Sequence, residues 1–354
     1  MNPRRKKKKL KVKKLILFII NIIIVVIIIL FLIKFLLKND SKGNNPNNDK
    51  TVERLKESDN YNSKYKNVYK EIEYTNIDNF EEYVNSLLDK GYSTEIINKI
   101  LKKYDSTKIE YIIDNEKMEL ENYIDLRNFE LENYSRYVEY KNKNNIDYQD
   151  AVTRVNLNLD YEQYTHTKEI ENPSDIDILL NKYNYLPKDY VPDNIVDIKS
   201  TTMGAKMIKV AADAFEELVA AAKSEGGFSL LATTAYRSYS FQNTLYTNYV
   251  NKDGVVNADT YSARPGFSEH QTGYAVDVRD PNVSGTRLSD SDYDWIKKNC
   301  YKFGFILRYP KGSTPITGYI EESWHLRYLG VEFATKVTES GLTYDEYYDL
   351  YIAH

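Results

Sequence analysis

Apolar and polar positions along the chain fall into three textures. Leu15 to Ile33 is an apolar run of nineteen residues in which only Asn21 is polar. At about 1.5 Å per residue a helix of that length spans about 29 Å, close to the ~30 Å hydrocarbon core of a bilayer. Nine Lys and Arg residues between Arg4 and Lys14 precede it, and Lys34 can snorkel toward the interface. The pattern predicts a transmembrane anchor over 15–37. A basic tail, 1–14, lies on the cytoplasmic side, and everything beyond lies outside the cell. A cleaved export signal would carry a shorter apolar stretch and a small-residue cleavage site, and Lys34-Phe35-Leu36-Leu37-Lys38 offers none. Residues 38–60 are rich in Asn, Lys, Asp and Ser and are expected to be a flexible linker.

Residues 61–172 follow a helical period. Phe80, Tyr83, Val84, Leu87 and Leu88 share one face, with Gly91 placed to stop the helix. Ser93 is set to cap a second helix carrying Ile96, Ile97, Ile100 and Leu101. Tyr134, Tyr137, Val138 and Tyr140 read as packing positions. The segment is expected to be a mainly helical extracellular module.

From about residue 173 to 354 the texture changes to short apolar runs between helical stretches. Met207, Val210, Ala211, Ala214, Phe215, Leu218 and Ala221 form a stripe that stops at Gly226-Gly227. Phe228–Ala235, Tyr274–Val278 and Phe305–Tyr309 read as strands. Ser289 is placed to cap a helix through Trp295 and Ile296, and Thr343-Tyr344-Asp345-Glu346 is a capping box. Strands and helices mixed without regular alternation indicate an α+β domain.

Charge sharpens the topology. Residues 1–38 hold eleven of the 48 Lys and Arg and no acid, which leaves 37 basic against 52 acidic residues in the remainder, a formal −15. So acidic an outer part argues against nucleic acid as a partner. The single cysteine, Cys300, cannot form an internal disulfide.

The chain has four histidines, and two lie in dense polar contexts: Ser268-Glu269-His270-Gln271-Thr272-Gly273-Tyr274-Ala275-Val276-Asp277 and Glu321-Glu322-Ser323-Trp324-His325. A catalytic zinc takes three N, O or S ligands and keeps a fourth position open. His270, Asp277 and His325 supply such a set. Glu322, three residues before a ligand, can reach the open position as a general base without being a ligand itself. His166 and His354 lack any such context.

These words, with Ala235-Tyr236-Arg237-Ser238, Gln242, Arg264-Pro265-Gly266-Phe267, Phe303-Gly304-Phe305-Ile306-Leu307-Arg308-Tyr309-Pro310 and His325-Leu326-Arg327-Tyr328, resemble the VanY-type zinc D-alanyl-D-alanine carboxypeptidases over about Asn181 to Gly330. VanX dipeptidases, phage endolysin peptidases and L,D-carboxypeptidases belong to the wider group. Ser323 departs from the proline common before the tryptophan. The resemblance implies a small antiparallel sheet flanked by helices, the zinc DD-peptidase or Hedgehog-like fold. It implies one zinc per chain on His270, Asp277 and His325, with Glu322 as base and Arg237 facing the carbonyl oxygen. Ser268, Gln242, Arg308 and Tyr309 would contact substrate, and Trp324 would pack under the metal. Gly273 and Ala275 would be small so that backbone can pass close to the zinc. The expected substrate is a peptidoglycan stem peptide ending in D-alanine. Tetrapeptide L,D-cleavage, endopeptidase cleavage or non-catalytic wall binding are the alternatives.

Overall fold

In the computed structural model residues 46–285 and 287–353 are described, and the chain divides into two compact units, Met1–Ile124 and Asp125–His354. The span expected at 15–37 lies outside the described residues. Among the described residues no helix is long and apolar enough to cross a membrane.

The first unit holds the helices Pro46–Glu57, Phe80–Asp89, Thr94–Lys103 and Ser106–Asp114. The stripe from Phe80 to Leu88 is buried, Gly91 takes a left-handed φ of 79° after the helix end, and the Ser93 hydroxyl accepts from the Ile96 N–H at 3.3 Å. The helix Pro46–Glu57 occupies ground expected to be linker. Thr51 and Leu55, one turn apart, are fully buried in it, and Arg54 pairs with Glu81 at 2.6 Å. The polar composition conceals the helix because its buried face needs only those two positions; its neighbours supply the rest of the core.

The second unit begins earlier than the texture change near residue 172. Helices Tyr134–Asn144 and Tyr148–Asn156 belong to it. The buried Asn128 amide donates to Thr153 and to Asp349, tying the second of these helices to the C-terminal helix Tyr344–Tyr351. These polar side-chain bonds, invisible to hydrophobic periodicity, join the segment to the rest of the unit together with Leu157, which is buried against Leu179 and Ile306.

Two short ladders precede the main sheet: β1 (Lys168–Glu169) with β2 (Asn184–Tyr185), parallel, and β3 (Ile195–Asp197) with β4 (Lys206–Ile208), antiparallel. Met207, read as the start of a helical stripe, pairs within β4; the helix proper is Lys209–Ala221. The main sheet contains β5 (Leu231–Thr234), β6 (Ala275–Arg279), β7 (Phe305–Tyr309) and β8 (Glu322–Tyr328), antiparallel in the order β5-β6-β8-β7. This is a mixed helix-and-sheet fold, as expected. Val276, Val278, Leu326 and Phe305 are buried in one core with Ala211, Phe215 and Leu218 of the helix Lys209–Ala221. The capping box read at Thr343 and Glu346 is present, and the cap read at Ser289 proves to be a full box with Asp292.

Candidate metal centre and active site

Sheet register builds the centre. Asp277 on β6 is paired with His325 on β8, so both side chains leave the same face at neighbouring positions. His270 comes from the 3-10 turn Glu269–Thr272 just before β6. Gly273 closes that turn at φ 75°, and a Cβ there would meet Ile208 Cγ1 at 3.1 Å and Pro192 Cγ at 3.2 Å. Its small size is therefore demanded by the left-handed turn and by these two side chains, rather than by approach to a metal.

The three side chains converge in the interior. His270 Nε2 and His325 Nδ1 each lie 3.4 Å from Asp277 Oδ1, and the ligand atoms all lie within 4.8 Å of one another. His270 Nδ1 is engaged with the Ala235 carbonyl at 2.7 Å, which turns Nε2 inward. His270 Nε2 and Asp277 Oδ1 are buried without a hydrogen-bond partner. Orphaned donors and acceptors of this kind are costly in a finished core. Two nitrogens and one carboxylate oxygen around one point are a donor set that fits zinc.

Electrostatics differ between the two imidazoles. Burial lowers the His270 pKa to about 4, so its ring is neutral and ready to ligate at neutral pH. Burial also works against a charge on His325, but the bonds to Asp277 and Glu269 prevail and push its pKa up to about 9. Burial opposes ionisation of Asp277 as well, yet His270 and His325 hold it well below the usual carboxylate range.

Glu322 lies at the start of β8, with Oε2 3.5 Å from His325 Nδ1. In a regular strand residues three apart face opposite sides. Here the β7–β8 register is irregular between the Leu307/Leu326 and Tyr309/Glu322 pairs, and this bulge brings Glu322 to the same side as His325. Burial raises the Glu322 pKa to about 7. Its neighbour Glu321 is exposed.

A cleft of about 580 Å³ opens over these groups and is also lined by Arg237, Gln242, Ser268 and Tyr309. Arg237 Nη2 lies 3.5 Å from Asp277 Oδ2, and Nη1 donates to Gln242 Oε1 at 2.8 Å. Gln242 Nε2 donates to the Ala263 carbonyl at 2.7 Å. Both ends of that amide are committed, and Gln242 holds Arg237 in place. The Tyr309 ring centroid is 5.0 Å from that of His325.

Arg308 is a correction. It is 1% exposed and does not line the cleft. Its Nε reaches Glu269 Oε1 at 2.8 Å and its Nη1 reaches Asp345 Oδ2 at 2.6 Å, so its charge is spent inside the core. Ile306 pairs with Arg327, and Arg308 and Arg327 both reach Glu269 beneath His325, whereas Tyr309, beyond the register irregularity that follows Leu307, pairs with Glu322 and lines the cleft. Trp324 is a wall of the cleft, with the Arg287 guanidinium 4.8 Å over its ring. His166 stacks on Tyr161 at 3.7 Å and is not among the residues lining the cleft.

Two residues escaped the sequence reading. Glu269 is buried beside His325 Nε2 at 3.2 Å. Arg287 enters the cleft 4.0 Å from Asp277 Oδ2, held by Thr233 Oγ1 at 2.9 Å. Glu269 stands inside the first motif but its partners are remote in sequence; Arg287 stands in no motif.

Residues 204–331 match the VanY family, described as D-alanyl-D-alanine carboxypeptidase. YodJ of Bacillus subtilis is 38% identical over 191 residues, which cover 51% of this chain and 69% of that protein. The chain belongs to the VanY family. A D-alanyl-D-alanine carboxypeptidase of Enterococcus faecalis is 34% identical over 48% of this chain and 64% of its own length, a little under two thirds. The solved structure of the LdcB LD-carboxypeptidase is 36% identical with a TM-score of 0.48, covering 53% of this chain and 92% of that one. This VanY-family chain is an enzyme of the carboxypeptidase class, and its buried His270/Asp277/His325 group is a donor set that suits zinc.

Proposed function

We propose that this protein removes the terminal D-alanine from peptidoglycan stem peptides by zinc-dependent hydrolysis. The observation that carries the reading is the position of Glu322: a buried carboxyl with a pKa near 7, at the edge of the His270/Asp277/His325 group and open to the cleft. A group poised near the working pH is suited to take a proton from water and return it to a leaving amine. When bound, zinc supplies Lewis-acid polarisation of the scissile carbonyl and lowers the pKa of water. His270, Asp277 and His325 would hold it. Arg237, fixed by Gln242, offers a preorganised positive charge beside the carbonyl oxygen as that oxygen gains charge. Ser268 and Tyr309 line the cleft and would orient the stem.

The site of action follows from charge and substrate together. The apolar run 15–37 behind nine cations would anchor the chain with its N-terminus in the cytoplasm, and the acidic remainder would face the wall outside. The test is to offer pentapeptide stems, tetrapeptide stems and cross-linked dimers side by side and follow the products by mass spectrometry. Free D-alanine from the pentapeptide supports the reading; a tetrapeptide or dimer preference replaces it with L,D-carboxypeptidase or endopeptidase action.

A further inference from the structure

The two histidines of the metal group are oriented by different acceptors. His270 Nδ1 faces a backbone carbonyl, whereas His325 Nε2 faces the Glu269 carboxylate, Oε2 lying 3.2 Å away. The other oxygen of Glu269 meets Arg308 Nε at 2.8 Å and Arg327 Nη1 at 3.4 Å. Arg308 continues to Asp345 Oδ2 at 2.6 Å, and Asp345 Oδ1 accepts from the Asn181 amide at 3.2 Å. The side chains of Glu269, Arg308, Arg327 and Asp345 are at most 1% exposed.

So many buried charges are a poor route to stability, because well-packed apolar residues of similar volume usually serve at least as well. Their geometry offers another use. A carboxylate on the far nitrogen of a metal-ligating imidazole fixes its tautomer and ring orientation and raises its basicity. Glu269 can do this only while it is held in place: Arg308 donates to its Oε1 at 2.8 Å, and the Arg327 guanidinium faces the same oxygen at 3.4 Å. Arg308 is in turn held by Asp345, in the first turn of the C-terminal helix Tyr344–Tyr351. That helix lies beyond the 204–331 segment that matches the family.

We propose that Glu269 is a positioning residue for His325, and that Asp345 extends the hold through Arg308, so that the last helix of the chain tunes the metal centre. Glu269 fixes Nε2 as the donor and leaves the Nδ1 lone pair for the metal. The inference rests on the zinc reading of the site given above.

The test uses the full-length protein with Glu269→Gln, Asp345→Asn and, as a control for lost stability alone, Val84→Ala, whose side chain is buried in the helix Phe80–Asp89 of the first unit. Zinc affinity is measured by chelator competition, and the cobalt-substituted forms are compared by visible absorption. Glu269→Gln is expected to weaken zinc binding by about 10- to 100-fold and to alter the cobalt bands. Asp345→Asn should act in the same direction by a smaller factor, and Val84→Ala should change neither readout. Wild-type affinity and spectrum in both acidic-site variants would overturn the proposal, whatever their melting temperatures. Should those variants not fold, ¹⁵N NMR of the zinc-loaded wild type decides. A metal on Nδ1 with Nε2–H hydrogen-bonded supports the proposal, and a metal on Nε2 overturns it. Wild-type protein that takes up no zinc would remove the site reading and this inference with it.

Discussion

Asp277 and His325 face each other across the β6–β8 ladder, with His325 Nδ1 3.4 Å from Asp277 Oδ1. Their proximity is fixed by strand register rather than by a loop, so the site should be preorganised before any metal arrives. Asp277→Asn keeps the shape and removes the anionic ligand. It is expected to weaken zinc binding by more than about 100-fold, since even outer partners of metal ligands are worth 10- to 100-fold. Chelator competition measures this, with circular dichroism to confirm the fold; near-wild-type affinity would remove Asp277 from the ligand set.

Metal binding should depend on pH with a definite sign. In the metal-free protein His325 keeps its proton up to about pH 9, whereas His270 is already neutral above about pH 4. A ligating imidazole must be unprotonated, so below pH 9 each binding event has to expel the His325 proton. Zinc affinity is expected to rise by about tenfold per pH unit between pH 6 and 8. Calorimetry in buffers of different ionisation enthalpy should count close to one proton released. Affinity flat across that range would contradict the assignment.

Arg237 is proposed to face the carbonyl oxygen in the transition state. Replacing it by Gln is expected to lower kcat by about 10²- to 10³-fold, the usual loss for one donor to a developing oxyanion, with a smaller effect on KM. Steady-state kinetics on a pentapeptide stem separate the two. A rise confined to KM would make Arg237 a binding group only.

Arg308 should behave as a core residue. Arg308→Met leaves Glu269 and Asp345 buried without their shared cation, a kind of loss that costs about 3–5 kcal/mol. Urea unfolding reads this directly. Full stability together with a raised KM would restore it to the substrate-contacting role read from the motif.

Cys300 is 2% exposed, and burial pushes its thiol up to about 12. A thiol with so little thiolate is a poor nucleophile. The native protein should be inert to a disulfide reagent over hours and react once denatured; rapid native labelling would show that the helix end around it opens.

What the sequence discloses is local. Ser93, Ser289 and Thr343 are legible as caps because the signal and the hydrogen bond lie within three residues. The cluster of His270, Asp277, Glu322 and His325 is legible because distinctive residue types recur in fixed words. The eclipsed features are those made by distant partners. Arg308 sits in a motif but points at Glu269, and nothing near it in the chain marks it as buried. The strand β8 is hidden because every residue from His325 to Tyr328 is buried, including the charged Arg327, so no alternation of polar and apolar positions survives. The helix at Pro46–Glu57 is hidden by its polar composition.

The central claim is that Glu322 drives hydrolysis at a zinc held by His270, Asp277 and His325. The most direct measurement is release of D-alanine from a pentapeptide stem by the full-length protein, in wild-type and Glu322→Gln forms, each before and after zinc is removed and restored. The account predicts release by the wild type, loss on chelation, recovery on adding zinc, and a Glu322→Gln form that binds zinc yet releases at least about 10²-fold less D-alanine, within the range expected for general acid–base catalysis. Release by the Glu322→Gln form at the wild-type rate, or release untouched by chelation, would contradict it.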